Sequence, residues 1–170
     1  MKKHSGMRPH DILILLKIAA WQGPQWLMKD LAQELGISPS EVSESIHRSA
    51  QAGLLSADKK QLMRSALMEF LQYGLAYVFP QKPGALVRGV PTAHSAPPLA
   101  GMIQSEENYV WPSAKGEIRG QAIEPLYKSV VKAISRDPLL YELLALVDAV
   151  RVGRVREKEL AVEQLKKRIR

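Results

Sequence analysis

MKDLAQELGISPSEVSESIHRSAQAGLL, residues 28–55, is the stretch whose reading decides the fold. It reads as two helices joined by a tight turn. Ser38 falls at the N-cap of the second helix, Pro39 at its first position and Glu41 three residues after the cap. That spacing predicts a capping box, in which the Ser hydroxyl accepts from the N3 amide and the Glu carboxylate reaches back to the cap amide. Gly36 stands where the first helix must end, a position that suits a left-handed residue. Ala32, Leu35, Ile37, Val42 and Ile46 are the apolar side chains that would pack one helix across the other.

On the second helix, 38–53, Val42, Ile46, Ala50 and Gly53 share one face, and Ser40, Ser43, Glu44, His47 and Gln51 share the other. An outer face of short polar side chains can lie in a major groove. Serine bonds several base edges there, and glutamate accepts from a cytosine amino group. Arg48 lies on the flank, in reach of a phosphate. The competing reading is a solvated face in an all-helical domain, and Glu44 favours it, because an uncompensated acid repels phosphate. The turn pattern outweighs the charges, so the stretch reads as a helix-turn-helix with 38–53 as its recognition helix.

Upstream, residues 1–10 are polar and read as loose. From Asp11 to Gln22 the residues Ile12, Leu15, Leu16 and Ala19 recur at helical spacing, widened by Leu13, Ile18 and Ala20. Gly23-Pro24 breaks that helix, and Gln25 to Met28 reads as a short, extended link. Downstream, Gly53-Leu54-Leu55 closes the second helix. Asp58 to Gly74 reads as a further helix capped by Asp58, with Leu62, Ala66, Phe70 and Tyr73 inward and Met63 and Leu67 beside them.

A hairpin is expected next: LAYVFP, QKPG, then ALVRGVP, with Leu75, Tyr77 and Phe79 alternating and Pro83-Gly84 turning the chain. It reads as a wing delayed by an inserted helix. Lys82 at its tip and Arg88 on its return strand would touch backbone phosphate or enter a minor groove. Residues 91–105 carry too little periodicity for a regular element and read as a surface crossing or linker. EENYVWP, 106–112, reads as a short extended piece anchored by Tyr109 and Trp111, and 113–120 as a polar loop.

The last third is helical. Glu124-Pro125 opens a helix to about Ser135, with Leu126, Val130, Val131 and Ile134 inside. Asp137-Pro138 starts another, with Leu140, Leu143, Leu144, Val147 and Val150 inside. After a break at Gly153, Arg154 to Arg170 reads as a charged helix whose thin stripe (Val155, Leu160, Leu165, Ile169) either packs edge-on or meets a partner. Three segments follow: a DNA-binding unit over 1–91, a Pro-rich crossing over 92–121 and a C-terminal helical unit over 122–170. The fold class is mainly α with a small β-hairpin wing.

Composition sets the bounds. The formal charge is +7, but residues 1–56 hold six Lys/Arg against five Asp/Glu, 57–112 five against four, and 113–170 thirteen against eight. A basic chain favours polyanions, yet the excess lies in the tail rather than the helix-turn-helix. The absence of cysteine excludes disulfides and thiolate metal sites and agrees with a cytoplasmic location. Lys2, Lys3 and Arg8 before ILILL mimic an export signal, but Asp11, Lys17 and Trp21-Gln22 argue against one. No apolar run approaches the roughly 20 residues a bilayer span needs. His4, His10, His47 and His94 show no metal-ligand spacing, and no catalytic set or cofactor loop is evident, so neither enzyme nor cofactor is expected.

The run DLAQELGISPSEVSESIHRSAQAGLL resembles the helix-turn-helix of winged-helix regulators of the MarR type. The matching residues are Leu31-Ala32, Leu35-Gly36-Ile37-Ser38, Ser40, Val42-Ser43, Ile46 and Gly53-Leu54-Leu55. The likeness covers residues 11–56. It implies that Ser38, Pro39, Ser40, Ser43, Glu44 and His47 occupy the base-facing turns, with Arg48 beside the backbone. The expectation is then a homodimeric, sequence-specific regulator of double-stranded DNA, a repressor, whose basic terminal helix helps dimerise. The alternative is an antitoxin or adaptor that grips a protein partner through residues 151–170. A regulator with a ligand pocket near Tyr109 and Trp111 is the weakest reading.

Overall fold

The architecture follows from two helices that are apolar on all sides. In a computed structural model describing residues 6–169, helix α1 (Pro9–Ala19) buries Ile12, Leu13, Ile14, Leu15 and Leu16 without remainder. Helix α7 (Pro138–Val152) does the same with Leu140, Leu146, Val147 and Ala149. A helix without a polar face must be covered all round. The two pack on each other, and the remaining elements enclose them in one continuous core from Ile12 to Ile169. The segments 1–91 and 122–170 therefore share a core rather than forming separate ones.

Helices α2 (Met28–Leu35) and α3 (Pro39–Gln51) lie against α1. After α3 come α4 (Arg64–Tyr73) and the single turn α5 (Leu75–Val78). Strands β1 (Leu86–Pro91), β2 (Tyr109–Pro112) and β3 (Ile118–Ala122) form a small sheet, followed by the short α6 (Val130–Ala133), then α7 and α8 (Val155–Arg168). The fold is mainly α with a small sheet, and among the described residues no helix is long and apolar enough to cross a membrane.

The sheet is not the expected hairpin. Leu75–Val78 is helical because the buried period does not change at Gly74: Leu67, Leu71 and Leu75 recur every four residues, all fully buried. The amides of Val78 and Phe79 bond the carbonyls of Gly74 and Leu75, which carries the helical ladder past the glycine. Tyr73, expected inside, is 68% exposed, midway between Leu71 and Leu75 and so on the opposite side of the helix from that stripe. Strand β1 instead pairs antiparallel with both β2 and β3, which run parallel to each other. Each strand thus meets the other two. The changeover falls at Gly89, which opposes both Pro112 and Ile118; a Cβ there would collide with the Trp111 carbonyl.

Residues 92–121, expected as a crossing, are therefore structural. Tyr109–Pro112 is extended as anticipated, but the loop expected over 113–120 runs into β3. Ala93, Ala96 and Leu99 are buried, and Asp148 of α7 holds the sheet from inside the core. Its carboxylate accepts from the Thr92 hydroxyl (2.7 Å), the Trp111 indole N–H (2.7 Å) and the Arg151 guanidinium (3.1 Å). Burial pushes the Asp148 carboxyl up, against the pull of Arg151 and the two neutral donors. Arg151, the first residue of the 151–170 segment expected to meet a partner, is buried here and also donates to the Phe79 carbonyl at 3.0 Å.

Further expectations shift in detail. The helix from Glu124 is reduced to α6 and one 3-10 turn. Helix α7 starts as expected, with Asp137 accepting from the Leu140 amide at 3.0 Å. Helix α8 folds back on α7, burying Ala161, Leu165 and Ile169 and pairing Arg168 with Glu142 at 2.8 Å. Its stripe is thus covered within the chain, and Val155 stays 73% exposed. The expectation of loose polar sequence over residues 1–10 fails at Pro9 and His10, which open α1 with His10 buried, while its part at 1–5, with Lys2, Lys3 and His4, and the end of the tail at Arg170 lie outside the described residues.

Candidate functional site

Helix α3 is held on three sides and bare on the fourth. Gly36 closes α2 at φ +64°, the left-handed conformation its position requires. The Ser38 hydroxyl accepts from the Glu41 amide at 3.3 Å, which forms the first half of the expected box. The second half does not form. Glu41 instead accepts from the Tyr127 hydroxyl at 3.1 Å, so its carboxylate points to a distant segment rather than back to its own cap. Ser129, two residues on, donates to the Leu35 carbonyl at 2.5 Å and packs against Gly36. The chain before α6 thus clamps the turn between α2 and α3.

The inner face of α3 carries Val42 and Ile46, as the apolar pattern requires, and also Ser45, Arg48 and Ser49. Arg48 is the main correction among the proposed contacts. Its guanidinium is 8% exposed and grips Asp11 of α1 with two bonds, Nε to Oδ2 at 2.9 Å and Nη2 to Oδ1 at 2.7 Å. The same nitrogen lies 3.3 Å from His10 Nε2. Arg48 is an internal tie between α1 and α3, not a free cation on the flank. Sequence could not show this, because Asp11 lies 37 residues away and was read only as the edge of a helix.

Electrostatics agree with the geometry. Burial pushes the Asp11 carboxyl up, but the Arg48 bonds and the Arg8 amide outweigh it and leave the group below the ordinary carboxylate range. Burial lowers the His10 imidazole, with Arg48 adding to the effect and Asp11 opposing it. A second buried cation, Lys17, joins α1 to the rest: it pairs with Asp137 at 2.6 Å and with Glu34 of α2. Burial alone would lower its pKa, but the two carboxylates raise it overall.

The bare face is the one read from sequence. Ser38, Pro39, Ser40, Ser43, Glu44, His47 and Gln51 are all exposed. Together they offer hydroxyls that donate or accept, a carboxylate that accepts, and an imidazole and an amide that do both. Glu44 lies 4.0 Å from Arg48 Nη1, so part of its charge is met from beneath. Lys82 and Arg88 are also exposed, but elsewhere. Lys82 is in the loop before the sheet and Arg88 on β1, so no hairpin built from 75–91 carries them beside α3.

A smaller hairpin does follow α3 directly. Leu55 bridges Leu62 antiparallel, the Ser56 amide donates to the Gln61 carbonyl at 2.8 Å, and the Met63 amide to the Leu54 carbonyl at 2.9 Å. The turn between is bonded within itself. Asp58 accepts from the Ser56 hydroxyl at 2.5 Å and from the Lys60 amide at 3.1 Å, which hold its carboxyl below the ordinary range. Asp58 is thus a turn residue, not the cap of α4. Lys59 adopts φ +63°, and Gln25 Nε2 ties the Lys60 carbonyl to the link before α2 at 3.1 Å. The signal was present: Leu54-Leu55 and Leu62-Met63 flank five polar or small residues and a glutamine. It was masked by assigning those residues to a helix. The cations that sequence reasoning missed are Lys60 at this tip, Lys29 in the first turn of α2 and Lys128 beside Tyr127, all exposed.

In comparisons with family models, curated proteins and solved structures, nothing matches this chain.

Proposed function

We propose that the chain is a sequence-specific DNA-binding protein that acts on transcription, with α2, α3 and the 54–63 hairpin forming a winged helix-turn-helix. One observation carries the reading. Helix α3, buried by α1, α2 and the Tyr127–Ser129 clamp, presents an outer face of small hydrogen-bonding side chains with no protein cover. Short side chains let a helix approach base edges closely, and hydroxyl, imidazole and carboxamide groups can read them. The site residues are Ser38, Pro39, Ser40, Ser43, Glu44 and His47. Arg48 serves by fixing the helix, and Lys29 and Lys60 are placed at the ends of the unit to hold phosphate.

One α3 reads one half-site. The reading therefore includes two copies on a two-fold operator, with half-sites separated by whole turns of the duplex. Selection of bound genomic fragments at near-physiological salt tests it. A single enriched, two-fold related motif is expected, and Ser43→Ala with His47→Ala changes that motif while Lys60→Ala weakens all sequences alike. Recovery of no motif would refute sequence-specific binding.

A further inference from the structure

The sheet holds a charge arrangement that its own fold does not explain. Arg88 of β1 and Arg119 of β3 are direct antiparallel partners, so their side chains leave the sheet on the same side. Directly opposed residues have Cβ atoms about 4.5–5.5 Å apart, and like charges so placed are destabilising. Both arginines are exposed. Every other arginine buried in or tied across this fold has a carboxylate: Arg48 has Asp11, Arg151 has Asp148 and Arg168 has Glu142. Among the described residues, neither Arg88 nor Arg119 makes an ion pair or a side-chain hydrogen bond. Glu117 precedes Arg119 by two residues, yet it pairs with neither.

The neighbours do not dilute the charge. Leu86 and Gln121, the next pair along the same face, are uncharged, and Leu86 is 65% exposed. Lys115, in the turn between β2 and β3, is exposed and free of ion pairs as well. The backbone beneath is fixed, since Gly89 and Gly116 meet where no Cβ fits and Asp148 anchors Thr92, just after β1, and the Trp111 of β2. Two planar guanidiniums on a rigid sheet form a preset fork for a tetrahedral oxyanion.

The sheet is also near the reading helix. Tyr127, which bonds Glu41 of α3, follows the end of β3 at Ala122 by five positions. That length of chain spans at most about 18 Å.

We infer that Arg88 and Arg119 together hold backbone phosphate of the same nucleic acid that α3 reads, making the sheet a second, sequence-independent contact. This rests on the DNA-binding reading above and adds to it a surface outside the winged unit. A phosphate seated between them supplies the counter-charge that the opposed pair lacks within the fold.

The test uses the full chain and a duplex carrying the selected motif, with affinity measured across a salt series. Each phosphate contact contributes about 0.9 to the slope of log K against log salt. Arg88→Gln with Arg119→Gln removes that one phosphate contact and is expected to lower the slope by roughly 0.9, weaken binding about fivefold at near-physiological salt, and leave the preferred motif unchanged. Arg119→Glu gives an independent readout, because it replaces repulsion by a cross-strand pair: melting temperature should hold or rise while affinity falls. An unchanged slope and affinity in a folded double variant, with binding by the unaltered chain intact, overturns this inference and leaves the α3 reading standing. If the unaltered chain binds no duplex at any salt, both fall. If affinity falls only together with melting temperature in Arg119→Glu, the pair is structural and the inference fails.

Discussion

Replacing Arg48 with methionine separates its two possible roles. Methionine keeps the apolar stem but leaves the Asp11 carboxylate, which has no solvent exposure, without its two charged bonds. Breaking a buried pair from one side costs about 3–5 kcal/mol, because the remaining charge stays buried. For a chain of this size each kcal/mol moves the melting temperature by about 2–4 °C, so a fall of roughly 6–20 °C is expected. The loss should depend on pH. With Arg48 present, the Asp11 pKa is lowered, so the pair stabilises the fold above the unfolded value near 3.8 and that contribution disappears as pH falls through the folded value. Without Arg48, burial is opposed chiefly by the Arg8 amide, and the folded value rises. The variant then sheds its penalty as Asp11 takes up a proton, and the gap from the parent should narrow between pH 7 and pH 4. Adding Asp11→Asn should recover at least half of the loss at pH 7, since it removes the stranded charge and keeps an acceptor for the Arg8 amide. Denaturant and thermal melts of the three variants suffice. An Arg48→Met protein as stable as the parent, with weakened DNA affinity, would refute the buried tie and restore Arg48 as a phosphate contact.

Other outcomes follow from the same packing. Burial holds the His10 imidazole below its ordinary 6.5, so the unfolded chain binds a proton first and stability should decline as pH drops below about 6.5. His10→Gln should flatten that limb in melts between pH 7.5 and 5.5; an unchanged limb would assign it to another group. Leu75→Ala should cost about 2–5 kcal/mol, while Tyr77→Ala, at a site 86% exposed, should cost less than about 0.5. Equal losses would instead favour an alternating strand over 75–79. Asp148→Ala strands the Arg151 cation and frees the Trp111 indole, so a loss of about 3–5 kcal/mol is expected. Faster amide exchange should accompany it across β1 and β2 ahead of α3, and uniform exchange would show that Asp148 does not anchor the sheet.

What could be read from residues alone was local. The turn at Gly36, the Ser38 cap and the Asp137 start are short-range hydrogen-bond patterns, and all three form as spaced. The bare face of α3 follows from period alone. The errors arise where a long-range partner decides. Glu41 leaves its cap because Tyr127, 86 residues on, offers a hydroxyl, and Arg48 turns inward because Asp11 waits beneath it. Leu75 continues a helix because Leu67 and Leu71 have set a four-residue burial period, whereas the alternation of Leu75, Tyr77 and Phe79 spans too few residues to outweigh it. The ring of strands was out of reach for the same reason: its register joins residues about 30 positions apart through glycines whose close approach only the folded backbone reveals.

The mutual burial of α1 and α7 has a consequence for the order of events during synthesis. Helix α1 is complete at Ala19, but its apolar partner begins only at Pro138. At 5–20 residues per second, the interval is roughly 6–24 s, far longer than a helix needs to form. Throughout it, the most apolar segment of the nascent chain waits without its cover, and α3 waits on α1. The exposed face of α3 is therefore fixed in place only when α7 docks on α1. Until then, a growing chain carries the polar face of α3 without the frame that orients it.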